Sequence, residues 1–205
     1  MSTTQQEIAT PMNKVAKRRT PTMTITYIAA LCAFCIVLKY LSNTFSISIG
    51  EHFKISITYI GWFVSGIVSG PIGAFTTATV SDLMGQIILP AGGAPNPIFT
   101  LGNGLGALAF ALCFHYLPIG KPYSVLRSIV GTIVGAIALA FVSTMGINTF
   151  GIWFLSNRSV EYGAHFISRL PQLVAVAVNT GIVVAIIPAL RGLKLYWTRP
   201  DLIKK

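Results

Sequence analysis

Asp82 is the residue whose position most needs explaining. It stands in the apolar run "IGAFTTATVSDLMGQIIL", and an ionisable group in hydrocarbon is costly unless it has a partner or a task. Two chemistries are open to it: contact with a polar ligand or ion, or hydrogen bonding to groups such as Ser81, Thr79 or those of a neighbouring helix. Lys39, Lys54 and Arg169 fall at or just beyond the ends of other apolar runs, with His52 and His165 near them. Brought together, they form a basic rim suited to an anionic or polar ligand. Taken singly, each is also placed to snorkel to lipid headgroups. Asn148 and Thr149, with Trp153 and Tyr162, add hydrogen-bonding and stacking groups after the fifth apolar run, or else an interfacial aromatic belt.

These residues make a binding chemistry and not a catalytic one. The chain has no G-x-x-x-x-G-K-[ST] for nucleotide phosphates, no H-E-x-x-H for zinc and no G-x-S-x-G nucleophile elbow. His52, His115 and His165 are too scattered for a metal site. The spacing Cys32-x-x-Cys35 lies inside an apolar run without a thioredoxin-like strand pattern, so Cys32, Cys35 and Cys113 read as core thiols. The expectation is a non-enzyme that binds no cofactor or metal of its own.

The elements that must position these groups are membrane helices. Of 205 residues, 53% are hydrophobic and 10% charged, and the mean hydropathy is +0.71; soluble domains carry roughly 25% charged residues. Six apolar runs are separated by breakers: Thr24 to Leu41, Ser56 to Ser69, Ile72 to Leu89, Phe99 to Leu117, Tyr123 to Met145 and Leu170 to Leu190. The fold class expected is therefore an all-α integral membrane protein with six transmembrane helices. Residues 1–20 form a basic tail, 21–195 the six-helix domain and 196–205 a second tail.

The net charge of +10 would suggest nucleic acid in a soluble protein, but its distribution gives a topology instead. Lys14, Lys17, Arg18 and Arg19 precede the first run, Lys121 and Arg127 lie between the fourth and fifth, and Arg191, Lys194, Arg199, Lys204 and Lys205 follow the last. The positive-inside rule then puts both termini in the cytoplasm, which demands an even number of crossings. Gly70-Pro71 and the Pro118 to Pro122 turn fall inside and are tight. Ser42 to Ile55, Pro90 to Ile98 and Gly146 to Arg169 fall outside and are longer, which places a ligand on the outer side. The stretch "PAGGAPNPIF" cannot be helical throughout and must cap something.

Small residues recur at a spacing of four: Ala29 and Ala33, Gly66 and Gly70, Gly102 and Gly106, Gly131 and Gly135. Such pairs let helix backbones approach closely in lipid. The three glycine pairs are expected to pack within the chain. The alanine pair also suits a docking surface for another membrane subunit.

The segment "HFKISITYIGWFVSGIVSGPIGAFTTATVSDLMGQIILPAGGAPNPIFTLGNGLGAL" resembles the S components of energy-coupling factor (ECF) vitamin transporters, in particular the folate-type branch. The likeness lies in the basic-Ile start, the Gly-Pro turn, the Asp followed by Leu-x-Gly, and the Pro-rich cap ending in Phe-Thr-Leu. "GINTFGIWFL" and "SRLP" are similar to the branch's Asn-Thr and Arg-Leu-Pro segments. "IAALCAF", with Ala29, Ala30 and Ala33, is similar to the patch by which S components contact the transmembrane coupling subunit.

The resemblance implies a six-helix S component in the bacterial plasma membrane that binds a vitamin near its outer face. Two partner ATPase subunits would hydrolyse ATP and act through the shared coupling subunit. It implies a substrate site drawn from Lys39, His52, Lys54, Asp82, Pro97, Phe99, Asn148, Thr149 and Arg169. Lys39 and Lys54 stand where the branch commonly has arginine, and Pro97-Ile98-Phe99 stands where Pro-Gly-Phe is usual. Folate leads as substrate; pantothenate, pyridoxine and a hydroxymethylpyrimidine are the alternatives. A non-transporting structural or assembly subunit is the reading from a different class.

Overall fold

The computed structural model describes residues 20–44, 56–88, 96–119, 124–155, 161–193 and 195–197, and is helical almost throughout. The elements are α1 (Pro21–Thr44), α2 (Thr58–Ile88), α3 (Pro97–Tyr116), α4 (Val125–Leu139), a π-helical segment (Ala140–Asn148), α5 (Thr149–Leu155) and α6 (Tyr162–Gly192). With the π segment counted as part of the helix around it, five stretches among the described residues are long and apolar enough to cross a membrane. Helices suit that setting because each satisfies its own backbone without water. Where water-accessible ends begin, side chains take over: Asn96 accepts from the Ile98 N–H at 3.0 Å with Pro97 in the first turn, and Ser124 accepts from the Arg127 N–H at 3.3 Å.

Helix α2 is broken in the middle. Gly70 takes φ 76° and ψ −174°, a conformation reserved for glycine, and Pro71 follows it. The two limbs on either side lie along α1 in opposite directions. Going up α1, Ile28 is near Gly73, Cys32 Sγ is 3.9 Å from the Thr77 carbonyl, and Lys39 is beside Asp82 and Gly85. On the first limb the order reverses, with Gly61 near Cys35 and Leu38, and Ser56 3.2 Å from Ser42. The limbs thus form an antiparallel pair that turns at Gly70, with Asp82 towards the far end.

The core lies where this pair meets α3 and α4. Phe63 stacks on Phe110 at 4.5 Å, both fully buried. Phe110 fits because glycines flank it: a Cβ on Gly66 would come within 2.7 Å of its ring, and one on Gly135 within 2.7 Å of the ring and 2.9 Å of its carbonyl oxygen. Gly131 likewise meets the backbone of Phe114 at 3.3 Å, and Gly106 meets Ser143 and Leu139. The glycine pairs pack within the chain, as their spacing predicts. Ala29, Ala30 and Ala33 all lie exposed on α1.

Two spans differ from the sequence reading. The fifth was expected to end at Met145, yet the chain stays helical to Leu155 through the π segment, so Asn148 and Thr149 are on a helix and not in a loop. The sixth was expected to begin at Leu170, but α6 starts at Tyr162. Pro171 looks like a boundary, but inside a helix it removes only one backbone hydrogen bond, and Arg169 is held by Gln172 at 3.0 Å. Gly135→Val is expected to overpack the Phe110 contact and destabilise the fold by about 2 kcal/mol. Thermal unfolding in detergent measures this, and an unchanged midpoint would show that α3 and α4 are not closely packed there.

Candidate substrate site

Two polar knots and one cation organise the end of the bundle that carries Asp82. The first knot is ionic. Lys39 Nζ lies 2.9 Å from Asp82 Oδ1 and donates also to the Asp82 carbonyl at 3.1 Å. The other carboxylate oxygen accepts from Gln86 Nε2 and from the Thr100 hydroxyl, the latter at 3.0 Å. Gln86 Nε2 also reaches Thr100 Oγ1 at 2.9 Å, and Gln86 Oε1 accepts from the Asn96 N–H at 2.8 Å. The charge is therefore paired and every carboxylate oxygen is occupied, the condition under which a buried ion pair is tolerated. One knot joins α1, the second limb of α2 and the start of α3.

The second knot joins α3 to the π segment. Asn103 Oδ1 accepts from Ser143 Oγ at 2.9 Å and from Asn148 Nδ2 at 3.0 Å, and Asn148 Nδ2 reaches Ser143 Oγ at 3.2 Å. Ser143 and Asn148 are five residues apart and would diverge on an α-helix. The wider turn puts them on one face. Thr149, fully buried, shows the same five-residue step, its hydroxyl bonded to the Thr144 carbonyl at 2.8 Å.

The cation is Arg169. It lies two turns into α6, half-buried, within electrostatic reach of the Tyr59 phenol. Tyr59 comes from the first limb of α2; its hydroxyl is 3.5 Å from Thr144 Oγ1, and Asp82 is also within electrostatic reach of it. Tyr59 meets Trp62 edge to face at 5.2 Å, and Trp153 meets Tyr162 likewise at 6.0 Å. Trp62 Nε1 and Asn148 Oδ1 are buried without a hydrogen-bond partner among the described residues. Arg169 makes no ion pair there either, since the Lys39 and Asp82 contact is the one found among the described residues.

Of the residues singled out from sequence, Lys39 and Asp82 are brought into direct contact with each other. Pro97 is in the first turn of α3, and Phe99 packs with Ile98 against Gly151 of α5. Asn148 and Thr149 line the π segment beside α3, and Arg169 approaches from α6. His52 and Lys54 lie outside the described residues. Sequence reasoning overlooked Gln86, Thr100, Asn103, Ser143 and Tyr59. Gln86 follows Asp82 by four residues, which puts both on one helix face and was a readable signal. No group of three His, Cys, Asp or Glu side chains that could hold a metal occurs among the described residues.

No family model matches the chain. The folate transporter FolT of Clostridium novyi (strain NT) is 30% identical over 138 residues, which is 67% of this chain and 74% of that protein. The chain belongs to the FolT family of ECF-transporter S components. Solved structures agree in fold. The S component of a bacterial ECF transporter superposes with a TM-score of 0.60 at 19% identity, over 85% of this chain and 97% of that one. FolT bound with folic acid superposes with a TM-score of 0.55 at 24% identity, over 87% and 96%. The protein is thus an all-helical, multi-pass membrane protein of a transport family, and at the Asp82 end of its bundle a lysine and an aspartate neutralise one another.

Asp82→Ala leaves the Lys39 ammonium without its counter-charge and is expected to cost about 3 kcal/mol of stability. The double replacement Lys39→Met with Asp82→Leu should cost far less, because it removes both charges. Unfolding midpoints of the two variants decide this: if they fall equally, the loss is one of packing and not of charge.

Proposed function

We propose that the protein captures folate at the outer face of a bacterial plasma membrane as the substrate-binding subunit of an ECF importer. Kinship with a folate transporter carries this reading, and the site chemistry supports it. Folate is an anion at neutral pH with an extended aromatic ring. Lys39 is neutralised by Asp82, so Arg169 is the described arginine at this end of the bundle with charge to offer a carboxylate, and its guanidinium presents the forked geometry that suits one. Tyr59, Trp62 and Trp153 are aromatic groups on nearby elements. The unpartnered Trp62 Nε1 and Asn148 Oδ1 offer a donor and an acceptor to a heterocycle.

The topology proposed is six crossings with both termini in the cytoplasm. The opposed limbs of α2 support it, since counting them separately turns five stretches into six and restores the parity that the basic residues require. The Gly70 turn is then cytoplasmic and the Asp82 end is the outer one. The exposed Ala29, Ala30 and Ala33 leave a smooth strip on α1 against which the transmembrane coupling subunit can pack, transmitting work from two ATPase subunits.

Binding is tested on the purified chain by ligand-induced thermal stabilisation with folate, pantothenate, pyridoxine and hydroxymethylpyrimidine. Folate should stabilise most; stabilisation by another vitamin alone would reassign the substrate, and by none would remove the binding role. Arg169→Ala should weaken folate by about 2 kcal/mol, roughly thirtyfold in Kd. Ala33→Trp should leave Kd unchanged while abolishing uptake into vesicles containing the coupling and ATPase subunits, and a loss of binding instead would show that α1 docks no partner through this strip.

A further inference from the structure

The end of the bundle opposite the substrate site carries a feature that folate binding does not explain. Pro71 has no N–H, so the Ile67 carbonyl, four residues earlier, loses the donor a continuous helix would give it. That carbonyl is instead bonded at 3.0 Å by the backbone N–H of Trp197, a residue beyond the end of α6. The neighbouring Gly66 carbonyl lies 2.9 Å from His115 Nε2; since a carbonyl only accepts, that nitrogen donates. The chain reaches this place by turning back after α6, with the Leu195 N–H bonded to the Leu190 carbonyl at 3.2 Å.

Aromatic packing follows the same path. The Trp197 indole covers Gly70 so closely that a Cβ there would sit 2.5 Å from Trp197 Cδ2. His115 meets Trp197 edge to face at 4.9 Å, and Tyr196, buried, stacks on Phe114 at 5.9 Å with ring planes 6° apart. Burial of Tyr196 raises its phenol above the ordinary tyrosine value. Arg127 Nη2 secures the other side by donating to the His115 carbonyl at 2.8 Å.

We propose that Leu195–Trp197 is a clasp, a short strap that closes the break in α2 by supplying the hydrogen bond Pro71 withholds, and that it opens as a unit while the helix bundle stays folded. The strap lies outside the helices, bonded to α2 through the Trp197 N–H and to α6 through the Leu195 N–H and packed through the rings of Tyr196 and Trp197, whereas the core of α3 is held by interhelical packing on several sides. Segments so attached open locally at lower free energy than the core. When closed, the clasp joins α6 to the α2 turn and to α3. When open, it frees the two limbs of α2 to change their angle at Gly70, the one described glycine with positive φ.

The test is hydrogen–deuterium exchange on the full-length chain in nanodiscs, without ligand or partner subunits, so its outcome is independent of the substrate proposed above. In the unmodified protein, the Leu195–Trp197 amides should exchange together and about a hundredfold faster than the core amides of α3. Trp197→Ala should raise exchange across residues 66–70 about tenfold, and Trp197→Phe, which keeps both the N–H and a ring, should restore most of the protection. Exchange of 195–197 as slow as the α3 core would overturn separate opening. Exchange at 66–70 indifferent to Trp197→Ala would overturn the clasp. Should Trp197→Ala fail to fold, the unmodified chain and Trp197→Phe still decide: the proposal falls if 195–197 does not open ahead of α3.

Discussion

A carboxylate and an ammonium in an apolar bundle cannot be left apart, and this constraint orders the Asp82 end of the molecule. Lys39 and Asp82 meet at 2.9 Å, and the remaining lone pairs of the carboxylate are taken by Gln86 and Thr100. Because these groups come from α1, α2 and α3, satisfying one charge also sets the register of three helices. Gln86 then extends the same network to the backbone of Asn96, the residue that caps the start of α3. The electrostatic consequence is selective: one basic residue is neutralised, while Arg169 has no carboxylate partner among the described residues.

A second constraint is that backbone polar groups have no water to turn to in lipid. Each departure from α-helix is therefore matched by a specific compensation. Where Pro71 removes a donor, Trp197 supplies one. Where the π segment widens the turn, Thr149 bonds back to the Thr144 carbonyl and Tyr162 donates to the Met145 carbonyl at 3.4 Å. The widened turn also makes the asparagine knot possible, because it places Ser143 and Asn148 on one face towards Asn103. Irregular backbone occurs at both ends of the bundle, and at each end it brings polar groups together.

Close packing connects the two ends. Phe110 sits between Gly66 on α2 and Gly135 on α4, so the helices are held at a separation that only hydrogen side chains allow. With little hydrophobic drive between helices in lipid, this contact between backbone and ring is a main source of cohesion. The exposed alanines on α1 have the same small-residue character but face outwards, unlike the glycines buried within the chain.

Much of this was determined by the sequence alone. Apolar runs and basic flanks indicated a helical membrane protein, and the first four predicted runs lie within three residues of the observed helical limits, because hydropathy and the Gly-Pro break are local properties. The family was also legible, in the Asp-Leu-x-Gly and Pro-rich motifs. Only the tertiary structure decided which side chains Asp82 meets within the chain. That the carboxylate meets a lysine 43 residues away depends on which helix faces which, and no local pattern contains that. The same holds for Asn148 and Thr149, placed on a helix by a π turn that propensity does not signal, and for Trp197, whose N–H answers a proline more than a hundred residues earlier in the chain.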